Sequence, residues 1–90
     1  MNIVTESYSY KQLSATANVS PVGGALGGIF CSSGTATVTI YNSATTTTSD
    51  KIVDTFTPLP GQFVPLPFGF SAGLYVVISG TGSFTVAYKQ

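Results

Sequence analysis

The sequence predicts an all-β domain, a small two-sheet β-sandwich of jelly-roll-like strand count with about eight short antiparallel strands. Three observations predict it. Apolar residues alternate with Thr, Ser or Gly through most stretches, and period-two alternation marks strands with one packed face. Gly, Pro, Asn and Ser clusters interrupt these stretches roughly every 8–12 residues. No window carries the 3.6-residue periodicity of an amphipathic helix.

The clearest strands are the last. Residues 73–79 and 83–89 are rich in β-branched and aromatic side chains, and Gly80-Thr81-Gly82 between them reads as a three-residue hairpin loop. That pairing sets Ile78 opposite Phe84, Val76 opposite Val86 and Leu74 opposite Tyr88, all on the core face. Tyr75, Val77, Thr85 and Ala87 then look outward. A second hairpin is expected between residues 25–31 and 35–42, with Ser32-Ser33-Gly34 as its loop. In this register Leu26, Gly28, Phe30, Ala36, Val38 and Ile40 face inward. Ile29, Cys31, Thr35, Thr37, Thr39 and Tyr41 face outward. A two-residue Ser33-Gly34 turn would exchange Phe30 and Cys31, because a slip of one residue inverts a strand. The position of the Gly favours the first arrangement.

Upstream, residues 3–10 and 12–19 read as strands, the second with Leu13, Ala15, Ala17 and Val19 alternating with polar residues. Residues 1–11 are set apart as a possible N-terminal arm of a single domain spanning residues 1–90. Residues 20–24 form a turn, residues 42–50 a polar loop, and residues 52–57 a further strand that Pro58-Leu59-Pro60-Gly61 ends. The stretch 63–70 cannot be a central strand, since Pro65 and Pro67 have no N–H for the ladder. It belongs on an edge or in extended polyproline-like backbone.

Composition limits the chemistry. The 90 residues include three Lys, three Asp or Glu, and neither Arg nor His, for a formal charge of zero. An average domain is about one-quarter charged; this one has a hydroxyl-rich surface instead. Three scattered lysines make no phosphate-binding face, which argues against nucleic acid. No apolar run approaches the roughly 18–20 residues of a membrane span, and residues 1–6 carry no secretory signal, so the expectation is a chain made in the cytoplasm. Without His there is no His-based triad or zinc hydrolase site. Cys31 stands alone, reads as a small hydrophobe in a strand, and fits a reducing compartment.

The carboxylates Glu6, Asp50 and Asp54 are the available acid groups. Asp50 and Asp54 share a face, with Lys51 beside them, as ordinary solvated charges would. Oxygen atoms crowd around residues 42–50, but a hard-cation cage normally takes several carboxylates and Asp50 alone is placed to serve. No metal, cofactor or catalytic residue is assigned, and the protein is not expected to be an enzyme.

Aromatic side chains are what remain. Tyr8, Tyr10, Phe63, Phe68, Phe70 and Tyr75 exceed the apparent needs of one small core, and with the outward Ile29 they are the expected interface residues. Core filling and stacking on a sugar are competing readings for them. A β-domain of this size buries only roughly 60–65% of the surface its unfolded chain exposes, so association would add stability.

The segments "ALGGIFCSSGTATVTIYN" and "KIVDTFTPLPGQFVPLPFGFSAGLYVVISGTGSFTVAYK" resemble a family of small all-β structural proteins of tailed bacteriophages, which includes capsid decoration and cement proteins. The resemblance runs from about Leu13 onward. It rests on Leu26 to Phe30, Asp54-Thr-Phe-Thr-Pro58 and Gly73-Leu-Tyr-Val76 taken together. Gly27 departs from it, standing where such sequences often carry Lys. The resemblance implies a virion component without catalytic residues, contacting the major capsid protein or another virion protein, and associating with itself, a trimer being favoured. A tail, fibre or adaptor module and a small lectin-like module are the alternatives.

Overall fold

The computed structural model describes residues 9–90. Seven strands form one antiparallel sheet, with no helix among the described residues: β1 (Ser9–Leu13), β2 (Ala17–Ser20), β3 (Gly24–Tyr41), β4 (Lys51–Phe56), β5 (Phe63–Pro65), β6 (Gly69–Phe70) and β7 (Leu74–Lys89). The all-β expectation holds. The two hairpins do not.

Instead, β3 and β7 run as single strands through both expected loops and pair with each other along their length, from Ala25 opposite Lys89 to Tyr41 opposite Tyr75. β1 and β2 flank β7, while β4, β5 and β6 flank β3. Where the hairpin loops were expected, Ser33, Gly34, Thr35 and Ala36 oppose Ser83, Gly82, Thr81 and Gly80. At about 3.3 Å per residue, the 18 residues of β3 would reach about 59 Å, yet the longest dimension of the protein is 37 Å. Both strands must therefore curve.

The small residues at the middle allow the strands to stay paired there. Gly34 has a φ of 84°, and a Cβ on it would collide with the Thr81 carbonyl and lie 2.6 Å from the Gly82 Cα. A glycine at positive φ thus serves a close approach between two long strands, where the local sequence suggested a loop.

Two register shifts in β3 decide which side chains are inside. One falls between Leu26 and Gly28, the other between Cys31 and Ser33. Each extra residue reverses the alternation, so Leu26, Ile29, Cys31, Ala36, Val38 and Ile40 all point into the core. This corrects the expected faces: Ile29 and Cys31 are fully buried at 0% exposure, and Phe30 is outside at 38%. Cys31 is a free thiol in the core. On β7 the predicted inner face holds despite the wrong partners, with Leu74, Val76, Ile78, Phe84 and Val86 buried and Tyr88 packed beside them.

At the periphery, residues 9–11, assigned to an arm, belong to β1 and pair with β7. The predicted strand 12–19 is broken by a bend at residues 14–16, although Leu13 and Val19 are both buried as its alternation required. β5 and β6 pair only with β3, as the prolines demanded.

A direct check of the long pairing is available at Ser33 and Ser83. Ser33→Cys with Ser83→Cys, in a Cys31→Ala background, should form an intramolecular disulfide under mild oxidation, seen as a faster-migrating band on a non-reducing gel. Two local hairpins would hold these positions on separate loops, and no crosslink would form.

Candidate functional site

Directly opposed residues in a sheet share a face, so the strand registers assemble a surface from four strands. Tyr10, Ala87, Gly28 and Pro65 lie in one row across β1, β7, β3 and β5; Gln12, Thr85, Phe30 and Phe63 lie in another. Both rows are on the outer side, opposite the buried Ile29 and Val86. Tyr10 is 75% exposed and Phe63 is 52% exposed. No charged residue stands in either row. Gly28 is needed here: a Cβ would lie 2.6 Å from Phe63 Cζ and 2.5 Å from the Val64 carbonyl oxygen. The bare backbone lets the Phe63 ring lie across β3.

This apolar surface continues round the β5 edge. The turn holding the exposed Leu59 is tied to β3 by the Gly61 N–H donating to the Cys31 carbonyl at 2.7 Å and the Cys31 N–H donating to the Gln62 carbonyl at 3.0 Å. At the other end of β5 the exposed Phe68 accepts from the Leu26 N–H at 2.7 Å. Prolines at 65 and 67 leave this edge short of donors, which discourages pairing with another strand.

Of the residues expected at an interface, Tyr10, Phe63 and Phe68 are exposed. Tyr10 and Phe63 are brought onto one face, and Phe68 lies at its edge. Tyr75 is half-buried on the outer side of the other half of the sheet, its ring centroid 6.1 Å from that of Tyr41. Phe70 is 4% exposed, because its position opposite Gly24 gives it the inward parity of Leu26. Ile29 is buried by the first bulge. Neither can meet a partner. Tyr8 and Glu6 lie outside the described residues. Phe30 was missed, since its outward orientation follows from bulges that a local alternation does not show.

The oxygen-rich loop is committed to its own structure. Asn42 Oδ1 accepts from the N–H groups of Ala72 at 2.9 Å and Gly73 at 3.3 Å. Its Nδ2 donates to Asp50 Oδ2 at 3.0 Å and Ser71 Oγ at 3.1 Å. Buried Ser43 Oγ accepts from the N–H groups of Thr45 and Thr47, both at 3.1 Å. Asn18 Nδ2 reaches the carbonyls of Ser43 and Thr45. Asp50 thus serves Asn42, while Asp54 pairs with Lys51 at 3.0 Å. The described residues gather no group of three His, Cys, Asp or Glu and open no pocket. No helix of the described residues is long and apolar enough to cross a membrane.

Comparison with protein-family models, with curated proteins and with solved structures finds no match to this chain.

Two outcomes follow for the polar features. Asn42→Ala removes four hydrogen bonds at the rim, each worth roughly 0.5–1.5 kcal/mol net; with partial solvent replacement, urea denaturation should show a loss of about 2 kcal/mol. The pH response has a defined sign. A hydrogen bond from the Thr55 N–H, then the Lys51 ammonium, hold the Asp54 carboxyl below its ordinary 3.8. Asp54 therefore adds stability above that value and loses it as pH falls through its lower folded value. Its hydrogen bond to Asp54 and the carboxylate's charge raise the Lys51 ammonium above 10.5. That contribution is present below 10.5 and disappears as pH rises through the raised value. Both groups are exposed, so the effects are small. The thermal midpoints of parent and Asp54→Asn proteins, measured against pH, should converge in strong acid, with the parent slightly higher at neutral pH.

Proposed function

We propose that this chain is a non-catalytic structural protein of a bacteriophage virion, most specifically a capsid cement or decoration protein that binds the assembled shell as a small oligomer. The observation that carries the reading is the uncharged face of Tyr10, Phe30, Phe63 and Pro65. An apolar patch of this kind marks a protein contact, and depletion of charge with enrichment in Tyr and Phe is the composition of interface centres. The resemblance to small tailed-phage structural proteins supplies the setting. Its partner would be the major capsid protein or another virion protein.

The fold suits that role. We take the curved sheet to close its inner face on itself as two layers, a jelly-roll-like sandwich, because residues from both halves of β3 and β7 share one core and no helix covers them. A cement protein needs no titrating nucleophile. It binds the assembled lattice in preference to free subunits and stabilises the lattice by mass action. Repetition over a symmetric shell turns weak individual contacts into firm retention. The exposed Leu59 and Phe68 along the β5 edge are our candidates for touching the shell.

Stoichiometry tests this. In gel densitometry of purified virions, the protein should appear in numbers comparable to the major capsid protein, on the order of hundreds of copies. A few dozen copies would make it a tail, fibre or adaptor component, and absence from particles would end the virion reading.

A further inference from the structure

The two long strands have a second pairing open to them. Take β3 as the halves 25–31 and 35–41, and β7 as the halves 75–79 and 83–89. In the structure the first half of β3 lies beside the last half of β7, and the last half of β3 beside the first half of β7. If each long strand instead folds back on itself, the same four halves pair along the same edges, and each only changes its neighbour. β4, β5 and β6 keep the far edge of β3, and β1 and β2 the far edge of β7. The backbone at the fold points suits both arrangements. Gly34 has the positive φ, 84°, that the third position of a hairpin loop takes, and Gly80 has a φ of 112°. Residues 32–35 and 79–81 are exposed, so those levels of the ribbon contribute no side chain to the core.

Local pairing has the kinetic advantage. A fold-back at residues 32–34 closes a short loop, whereas the β3–β7 pairing must first bring Tyr41 to Tyr75 across residues 42–74. Closure costs more as the loop lengthens, hairpins form in about 1–10 μs, and long-range strand pairing is slow. The two arrangements also bury different residues. β7 keeps Leu74, Val76, Ile78, Phe84 and Val86 on one side in both. On β3 the fold-back places Phe30 inside with Leu26 and Val38 and turns Ile29 and Cys31 outward, and the bulges of the long pairing reverse this.

We infer that the chain reaches its structure by strand exchange: β3 first folds back on itself at residues 32–34 with Phe30 inside, then trades that pairing for β7, which buries Ile29 and Cys31 and turns Phe30 out. Phe30 is the residue that opposes the exchange, because it stabilises the hairpin and stands 38% exposed afterwards. The outer row of Gln12, Thr85, Phe30 and Phe63 is therefore complete only once the exchange has occurred. That consequence bears on association through the reading above of this face as a protein contact. The exchange itself does not rest on that reading.

Refolding of the full, reduced chain by dilution from urea tests the exchange. Unfolding for only about one second beforehand keeps the X–Pro bonds trans, since their isomerisation takes tens of seconds, and so removes proline phases. Strand signal in far-UV circular dichroism should return before Cys31 is protected from a pulse of methanethiosulfonate, and two probes with different rates mark an intermediate. Phe30→Thr should speed the protection of Cys31 on the order of fivefold, the size of a cross-strand aromatic contribution, and leave the unfolding rate nearly unchanged. The parent's two rates decide even where a variant does not fold. A common rate for strand signal and Cys31 protection would overturn the exchange, as would a folded Phe30→Thr variant that protects Cys31 no faster than the parent. The two proposals fail separately: a single refolding rate leaves the virion stoichiometry untouched, and absence from virions leaves the order of refolding untouched.

Discussion

The antiparallel pairing of β3 with β7 is the constraint on which the rest of the structure depends. These strands form the centre of the sheet, and every other strand attaches to one of them. Their register determines which residues become neighbours across the sheet. It sets Ile29 beside Val86 and Val38 beside Ile78 on the inside, and Phe30 beside Thr85 on the outside. The bulges in β3 matter as much as the pairing. Without the shift at Gly27 and its counterpart at Ser32, Phe30 would enter the core and Cys31 would meet solvent. The aromatic face exists because one strand changes parity twice.

Strand content and most of the β7 core were legible in the sequence because they depend on local alternation. Leu74, Val76, Ile78, Phe84 and Val86 have the same parity whether β7 folds back on itself or runs straight beside β3. Topology was not legible, since Gly at positive φ serves a hairpin loop and a pinched long-strand pairing alike. Gly34 and Gly80 satisfy both. One signal was nevertheless present. Ser33-Gly34-Thr35 and Thr81-Gly82-Ser83 are mirror images in sequence, and in the antiparallel pairing each residue opposes its own kind. Two independent loops have no reason to match in this way, whereas strands that pack backbone against backbone need small residues at the same level.

The aromatic candidates divide along the same line. Tyr10 and Phe63 were found from composition, which reports an excess of rings but not their direction. Phe70 was indistinguishable from them until its opposition to Gly24 gave it inward parity. Phe30 had been placed in the core by a hairpin register. The site is therefore a non-local object: its rows draw on residues separated by up to most of the chain, and only the sheet brings them together.

The edges show how such a surface can be kept without unlimited aggregation. A neutral domain with an apolar face and open strands risks continuous edge-to-edge growth. Pro65 and Pro67 remove donors from the β5 side, and two register shifts disturb the pairing of β4 with β3. On β4 the Asp54 carboxylate accepts from the Thr55 N–H at 2.8 Å, occupying a donor at that edge. On β1, Lys11 opposes the buried Val86 and so has inward parity at an exposed position, a placement that makes a continued sheet unfavourable. Lys11 on β1, Lys51 and Asp54 on β4, and Pro65 on β5 thus stand on flanking strands, while the two rows of the Tyr10–Phe63 face carry no charge. Strand addition at these edges, which has no natural end, is thereby made unfavourable.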